Sequence, residues 1–217
     1  MRSGCGFSVW PRQTRHWLGA TVLSVLLTGT ALAADRTELG EGLYREHCVF
    51  CHGENGKGYA SDAAPALGGQ DFLVTVNDAF LTRSIAVGRP GTWMAPYAKR
   101  HGGQLDDDEI GALVAFIRGW QREASVALEL SADPVVGDPA AARRPYAKLC
   151  APCHGLRGQG QTALSLNNPE YLAAVWDNQI RWAIVHGRRG TPMPGYGATL
   201  SATEIDNLVA LIRTWQR

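Results

Sequence analysis

The chain has 217 residues, 45% of them hydrophobic and 19% charged, and a formal net charge of +1 at pH 7. That length is generous for one small domain and comfortable for two of about 100 residues. The apolar content excludes a disordered chain, a single long apolar run excludes a multi-spanning membrane protein, and no nucleic-acid partner is expected at so even a charge balance.

The first 34 residues carry Arg2, Arg12 and Arg15 and no acid, then the apolar run Trp17 to Gly29, then Ala31-Leu32-Ala33. This is the pattern of an export signal with a small-residue cleavage site. Residues 1–34 therefore read as a signal peptide, the mature chain starts near Ala34, and the expected destination is a bacterial periplasm. The alternative is an uncleaved anchor, because Trp17 to Ala34, at 18 residues, could just span a bilayer.

Next comes Cys48-Val49-Phe50-Cys51-His52, and 102 positions later Cys150-Ala151-Pro152-Cys153-His154. The spacing C-x-x-C-H attaches c-type haem: two cysteines carry the porphyrin through thioethers and the adjacent histidine can ligate the iron. A zinc or redox C-x-x-C pair is the bland alternative, but it leaves a histidine after both second cysteines without a purpose. Of the 5 cysteines, Cys5 falls in the leader and the other four lie in these motifs, so no disulfide is expected. Each domain would use its haem as a core centre, which offsets the small apolar volume that so short a chain can bury.

From each motif onward the halves match position by position. Gly40-x-x-x-Tyr44 precedes the first motif and Ala142-x-x-x-Tyr146 the second, placing a small residue and an aromatic on one helical face. Glycine-rich turns follow both histidines, at 53–58 and 155–160. Middle helices are predicted from Asp78 to Val87 and from Asp177 to His186, each with its aspartate suited to N-capping and a glycine just beyond its end. Gly/Pro-rich loops come next, Gly88 to Tyr97 and Gly187 to Tyr196. Each half closes on an amphipathic helix, with Ile110, Leu113, Val114 and Ile117 in one and Ile205, Leu208, Val209 and Ile212 in the other. Asp106-x-x-Glu109 and Ser201-x-x-Glu204 are their start signals. Residues 123–142, with four acids and two prolines, read as a surface linker between domains at 35–122 and 143–217.

A haem iron that shuttles electrons needs a sixth ligand. The chain has 3 methionines; Met1 leaves with the leader, and Met94 and Met193 stand in the same loop of each half. His47, His101 and His186 compete, but none recurs in the other half.

These features resemble two class I cytochrome c domains in tandem, over residues 36–217 apart from the linker. The resemblance implies an all-α fold in which each helical domain wraps a covalent haem c. It also implies a Gly/aromatic crossing of the first and last helices, matched by Gly40 and Tyr44 with Leu113 and Phe116, and more loosely by Ala142 and Tyr146 with Leu208 and Leu211. The family sets a proline carbonyl against the haem histidine, which Pro65 matches; the aligned residue of the second half is Leu164. On this reading Cys48, Cys51, Cys150 and Cys153 bind the two haems, and His52, Met94, His154 and Met193 ligate iron.

The expected function is single-electron transfer between periplasmic or membrane redox partners, with no catalytic residue. A diheme enzyme of peroxidase or thiosulfate-oxidising type and a bound subunit of a larger oxidoreductase or terminal oxidase are the alternatives. Membrane contact is expected only through a partner complex or an uncleaved leader. Residues 35–122 hold 9 basic and 12 acidic side chains and residues 143–217 hold 9 and 4, so each domain is expected to meet a different partner. Arg188 and Arg189, in the loop leading to Met193, are expected to face an acidic one.

Overall fold

The computed structural model describes residues 35–58, 64–126 and 134–216. The stretch read as a leader with a cleavage site lies outside those residues, as do the middle of the stretch read as linker and five positions after the first glycine-rich turn. No helix among the described residues is long and apolar enough to cross a membrane. Helices and turns make up the described chain, apart from an isolated bridge between Ala98 and Leu105.

Helix α1 (35–47) crosses α5 (Asp107–Arg118) at a point where a side chain is missing. A Cβ on Gly40 would stand 2.2 Å from the Ala112 carbonyl oxygen and 2.8 Å from Phe116 Cβ, so the two backbones meet only because Gly40 has none. One turn later, Tyr44 packs against Phe116 at 5.6 Å and edge-on against Trp120 at 5.0 Å. In the second half α6 (Pro139–Leu149) packs along α10 (Ala202–Arg213), with Ala142 buried at the crossing and Tyr146 edge-on to Trp215 at 5.1 Å. Capping boxes start both closing helices: Asp106 accepts from the Glu109 N–H and Ser201 from the Glu204 N–H, while each glutamate accepts from the cap's own N–H.

The motifs fold as single turns, α2 (Val49–His52) and α7 (Ala151–His154). Short helices absent from the sequence reading follow, α3 (Gln70–Leu73) and α8 (Pro169–Ala174). The middle helices α4 (Asp78–Val87) and α9 (Asp177–His186) have the expected bounds but different caps. Asn77 caps α4 through the Phe80 N–H at 2.8 Å, and the Gln179 side chain accepts from the Trp176 N–H at 2.7 Å. Asp78 and Asp177 are freed to bind arginines of the closing helices. Arg118 donates to Asp78, to the Leu73 carbonyl at 2.7 Å and to the Val76 carbonyl; Arg213 does the same with Asp177, Leu172 and Val175. One guanidinium per half thus ties the chain's last helix to the turn between its third and fourth elements.

The stretch read as linker ends earlier than expected. Pro139 at the first helical position and the Asp138 side chain, which accepts from the Ala140 N–H, start α6 there, so residues 139–142 are helical. The two halves also touch. Helix α4 packs on α8, Arg83 pairs with Glu170 at 2.7 Å, and Gln179 donates to the Thr75 carbonyl at 2.6 Å.

Candidate functional site

His52 and His154 are buried at 7% and 8% exposure, each in the single turn that its two cysteines begin. The turn ends at Gly53 and Gly155, whose φ values of 72° and 79° let the chain reverse at once. Tyr44 and Tyr146 reach over that reversal and donate to the Gly53 and Gly155 carbonyls at 2.8 and 2.9 Å. Behind it, a Cβ on Gly56 or Gly158 would strike the indole of Trp120 or Trp215 at 2.5 or 2.6 Å. The tryptophan therefore seals the back of the motif in both halves.

Each histidine is oriented through its inner nitrogen. His52 Nδ1 lies 3.0 Å from the Pro65 carbonyl oxygen and His154 Nδ1 lies 2.9 Å from the Leu164 carbonyl oxygen. A carbonyl can only accept, so Nδ1 carries the proton in both rings and Nε2 keeps its lone pair for a metal. Burial lowers both imidazole pKa values, an effect the carbonyl partly opposes, so the neutral, ligating form is favoured. The second half thus supplies the same carbonyl without a proline ring. Its chain reaches Leu164 in 10 residues, where the first half takes 13 to Pro65.

Cys48, Cys51, Cys150 and Cys153 are free thiols. Burial, and then the neighbouring thiol, pushes Cys48 up to about 12 and Cys150 up to about 11, so both stay protonated at neutral pH. Two free thiols, a histidine with an open Nε2 and glycines at the backbone reversal form a donor set that fits covalent haem c and leaves the cysteines no competing bond.

Met94 and Met193 are half-buried in loops built alike. The Arg89 and Arg188 N–H groups donate to the Met94 and Met193 carbonyls at 2.8 and 3.0 Å, and Thr92 and Thr191 hydroxyls each accept from the methionine N–H at 3.2 Å. A Cβ on Gly88 or Gly187 would stand 2.5 or 2.6 Å from the same methionine carbonyl, so glycine is required there too. Tyr97 and Tyr196, three residues on, donate to the His47 and Leu149 carbonyls at 2.9 and 3.1 Å. Those carbonyls immediately precede the first cysteine of each motif, so the tyrosines moor the methionine loops to the haem motifs. Of the competing histidines, His47 lies 5.7 Å from the Tyr97 ring, His101 ends an exposed 3-10 turn, and His186 lies 4.4 Å from the Trp182 ring at the surface.

The chain matches the family model described as cytochrome c over residues 37–121 and the one described as cytochrome c oxidase, cbb3-type, subunit III over residues 137–212. Cytochrome c55X of Stutzerimonas stutzeri is 35% identical over 82 residues, 38% of this chain and 72% of that protein. This chain belongs to the cytochrome c family. It is a tandem of two class I cytochrome c domains, and that family implies covalently bound haem c. The cbb3-type oxidase subunit CcoP of Rubrivivax gelatinosus aligns with both domains, 28% identical over 188 residues, 84% of this chain and 56% of that subunit. A dihydro-heme d1 dehydrogenase of Pseudomonas aeruginosa is 39% identical over 95 residues, 44% of this chain and 17% of the dehydrogenase. Among solved structures, a chain of the Kuenenia stuttgartiensis reducing HAO-like protein complex shares the fold at a TM-score of 0.51 and 22% identity, covering 83% of this cytochrome and 96% of that chain. The cytochrome spans little more than half the length of the oxidase subunits it matches over both domains, and less of the dehydrogenase.

The two arginines singled out in the sequence meet acceptors of the other half: Arg188 donates to the Asp71 carbonyl at 2.6 Å, and Arg189, its side chain still 63% exposed, pairs with Asp71 and Glu123 at 2.7 and 2.8 Å. The acids that receive them belong to the other half, which counting charge by segment could not show. Trp120/Trp215, Arg118/Arg213 and Tyr97/Tyr196 were missed as supports of the site, although each pair occupies matching positions of the repeat.

Proposed function

We propose that this cytochrome binds two haem c groups and passes single electrons between exported redox protein partners. In this reading Cys48 and Cys51 hold one haem and Cys150 and Cys153 the other, with His52 and Met94 as axial ligands of the first iron and His154 and Met193 of the second. Each haem supplies a one-electron couple, and thioether ligation raises its potential relative to two imidazoles. The observation that carries the reading is the paired Nδ1–carbonyl contact, which presents Nε2 identically in domains at residues 35–122 and 143–217. Mooring of both methionine loops to the motifs supports a closed sixth site, and with it a carrier rather than an enzyme.

The charge that remains exposed supports a different partner at each domain. Arg143, Arg144 and Lys148 on α6 and Arg157 after His154 are exposed and form no ion pair among the described residues, and Lys148 and Arg157 flank the motif in sequence. The matching positions of the first domain are Glu41, Gly42, Glu46 and Asn55, so the two motifs present opposite signs. Alignment of both domains with an oxidase subunit favours a second reading, a cytochrome bound to a larger complex through a retained leader.

Mass spectrometry of the exported protein under denaturing conditions tests both points. Two haem masses on a chain starting near Ala34 are expected for a released periplasmic carrier. One haem or none would refute the diheme reading, and an uncleaved leader would favour the bound subunit.

A further inference from the structure

Each methionine loop is gripped by the other domain. Asp71, in α3 of the first domain, is 4% exposed. Its carboxylate accepts from the Arg189 backbone N–H at 2.5 Å and from Arg189 Nε at 2.7 Å, and its carbonyl accepts from the Arg188 guanidinium at 2.6 Å. Arg188 is the residue whose own N–H holds the Met193 carbonyl, at 3.0 Å. In the reverse direction, Asn168, the N-cap of α8, donates through Nδ2 to the Pro90 carbonyl at 2.8 Å, one residue beyond Arg89, whose N–H holds the Met94 carbonyl. The Arg89 guanidinium also lies 5.9 Å from the Tyr171 ring of α8.

We infer that Asp71 is a positioning residue for Met193, and Asn168 one for Met94, so that the sixth ligand of each haem is held in place by the domain that carries the other haem. The inference rests on the axial role proposed for the two methionines. Its physical basis is that a loop of Gly, Arg, Thr and Pro has no packing core of its own, so hydrogen bonds to fixed partners set how far its sulfur can withdraw. A buried carboxylate making two contacts to one arginine, one of them to its main chain, is a stiff anchor. Glu123 adds a second acid to Arg189 at 2.8 Å, but from an exposed segment. Loosening the anchor does not remove the ligand; it increases the fraction of time for which the iron is open to a competitor.

The test uses the full haem-loaded chain in the Met94→Ala background, where the remaining near-infrared sulfur-to-iron band reports Met193 alone. If that background shows no such band, the ligand assignment itself fails, before Asp71 is probed. With the band present, Asp71→Asn is expected to let imidazole displace Met193 at about one-tenth of the parent concentration, the size expected for losing one charge-assisted anchor. Arg189→Ala, which removes the side-chain half of that contact and keeps the main-chain half, should shift the concentration in the same direction and guards against a folding defect peculiar to Asp71→Asn. Arg83→Ala removes the Arg83–Glu170 pair between the domains without a hydrogen bond to either loop, and should leave the displacement unchanged. An unchanged imidazole concentration in Asp71→Asn and Arg189→Ala would overturn the inference. So would an equal shift in Arg83→Ala, because the effect would then be that of any loosened interface.

Discussion

Adding one methyl group at Gly40 should separate the two ways in which a helix residue acts on stability. Gly40→Ala favours helix α1 intrinsically by about 1 kcal/mol. Against this, the new Cβ would stand 2.2 Å from the Ala112 carbonyl oxygen, where such contacts settle near about 3.3 Å. Helices α1 and α5 must therefore part by about 1 Å, which forfeits up to half of the dispersion energy of the atoms that face each other, and overpacking of this kind costs about 1–3 kcal/mol. The net expectation is a loss of up to about 2 kcal/mol, growing to about 3 kcal/mol or more for Gly40→Val, which adds two further methyl groups to a Cβ already 2.8 Å from Phe116 Cβ. At the same place in the second domain, Ala142→Gly should cost about 1–2 kcal/mol for the opposite reasons, lost propensity and a lost buried methyl. Guanidinium unfolding of the haem-loaded protein gives the free energies, and hydrogen exchange of α1 and α5 amides against those of α6 and α10 assigns each loss to its domain. If Gly40→Ala raised stability, the crossing would have slack and the close approach would not be what glycine is there for.

Three further outcomes follow from the same contacts. Arg118→Ala removes four hydrogen bonds at one guanidinium, three of them to Leu73, Val76 and Asp78, and should destabilise the first domain by about 3 kcal/mol, with Arg118→Lys restoring less than half, because an ammonium cannot span two carbonyls and a carboxylate; denaturant midpoints check this. Asp106 is held below the ordinary carboxylate range by the Glu109 N–H and then by Lys99, so it contributes stability above that range that is lost as pH falls through it. Asp106→Asn keeps the cap but not the charge, so the stability gap between parent and variant should close as acid is added, and a gap independent of pH would refute it. Exchanging Arg144 and Lys148 for glutamate should slow electron transfer to an acidic partner at low ionic strength and leave the rate at high salt unchanged, as stopped-flow mixing would show. Arg188→Glu should not act through steering, since that side chain faces Asp71.

Periodicity and repetition made much of the fold legible before any coordinates. The bounds of α4 and α9, both capping boxes and the carbonyls of Pro65 and Leu164 all stand where spacing or alignment put them. Local signals suffice when the determinant is local, as with Asp106 and Glu109 three residues apart. Helices α3 and α8 were invisible because a turn or so of helix is too short to show a period, and each is also tied down by a distant arginine, Arg118 or Arg213, 45 and 41 residues away. The same distance in sequence hid the fate of Arg188 and Arg189. Their partner Asp71 lies 117 and 118 residues back, and nothing in a loop rich in glycine and arginine tells whether its charge faces solvent or a neighbouring domain. Asn77 and Gln179 took the capping roles because Asp78 and Asp177 had stronger partners, a competition that only the assembled domain decides.

The contact between the domains bears on whether this protein can be treated as two interchangeable modules. Cutting the chain between residues 126 and 134 would yield halves that each keep a complete haem motif. The excised second half would nonetheless carry Arg188 and Arg189 without the carbonyl and carboxylates that receive them, and Gln179 would lose the Thr75 carbonyl. The first half would be left with Asp71 as an unpaired, newly wetted charge and with the Pro90 carbonyl lacking its donor. On the two-haem reading proposed above, either fragment would be a monohaem cytochrome whose methionine loop has lost its partner in the other half, and so a poor standard for the redox properties of its own haem. A graft of the second domain onto another carrier would have to bring α3 of the first with it.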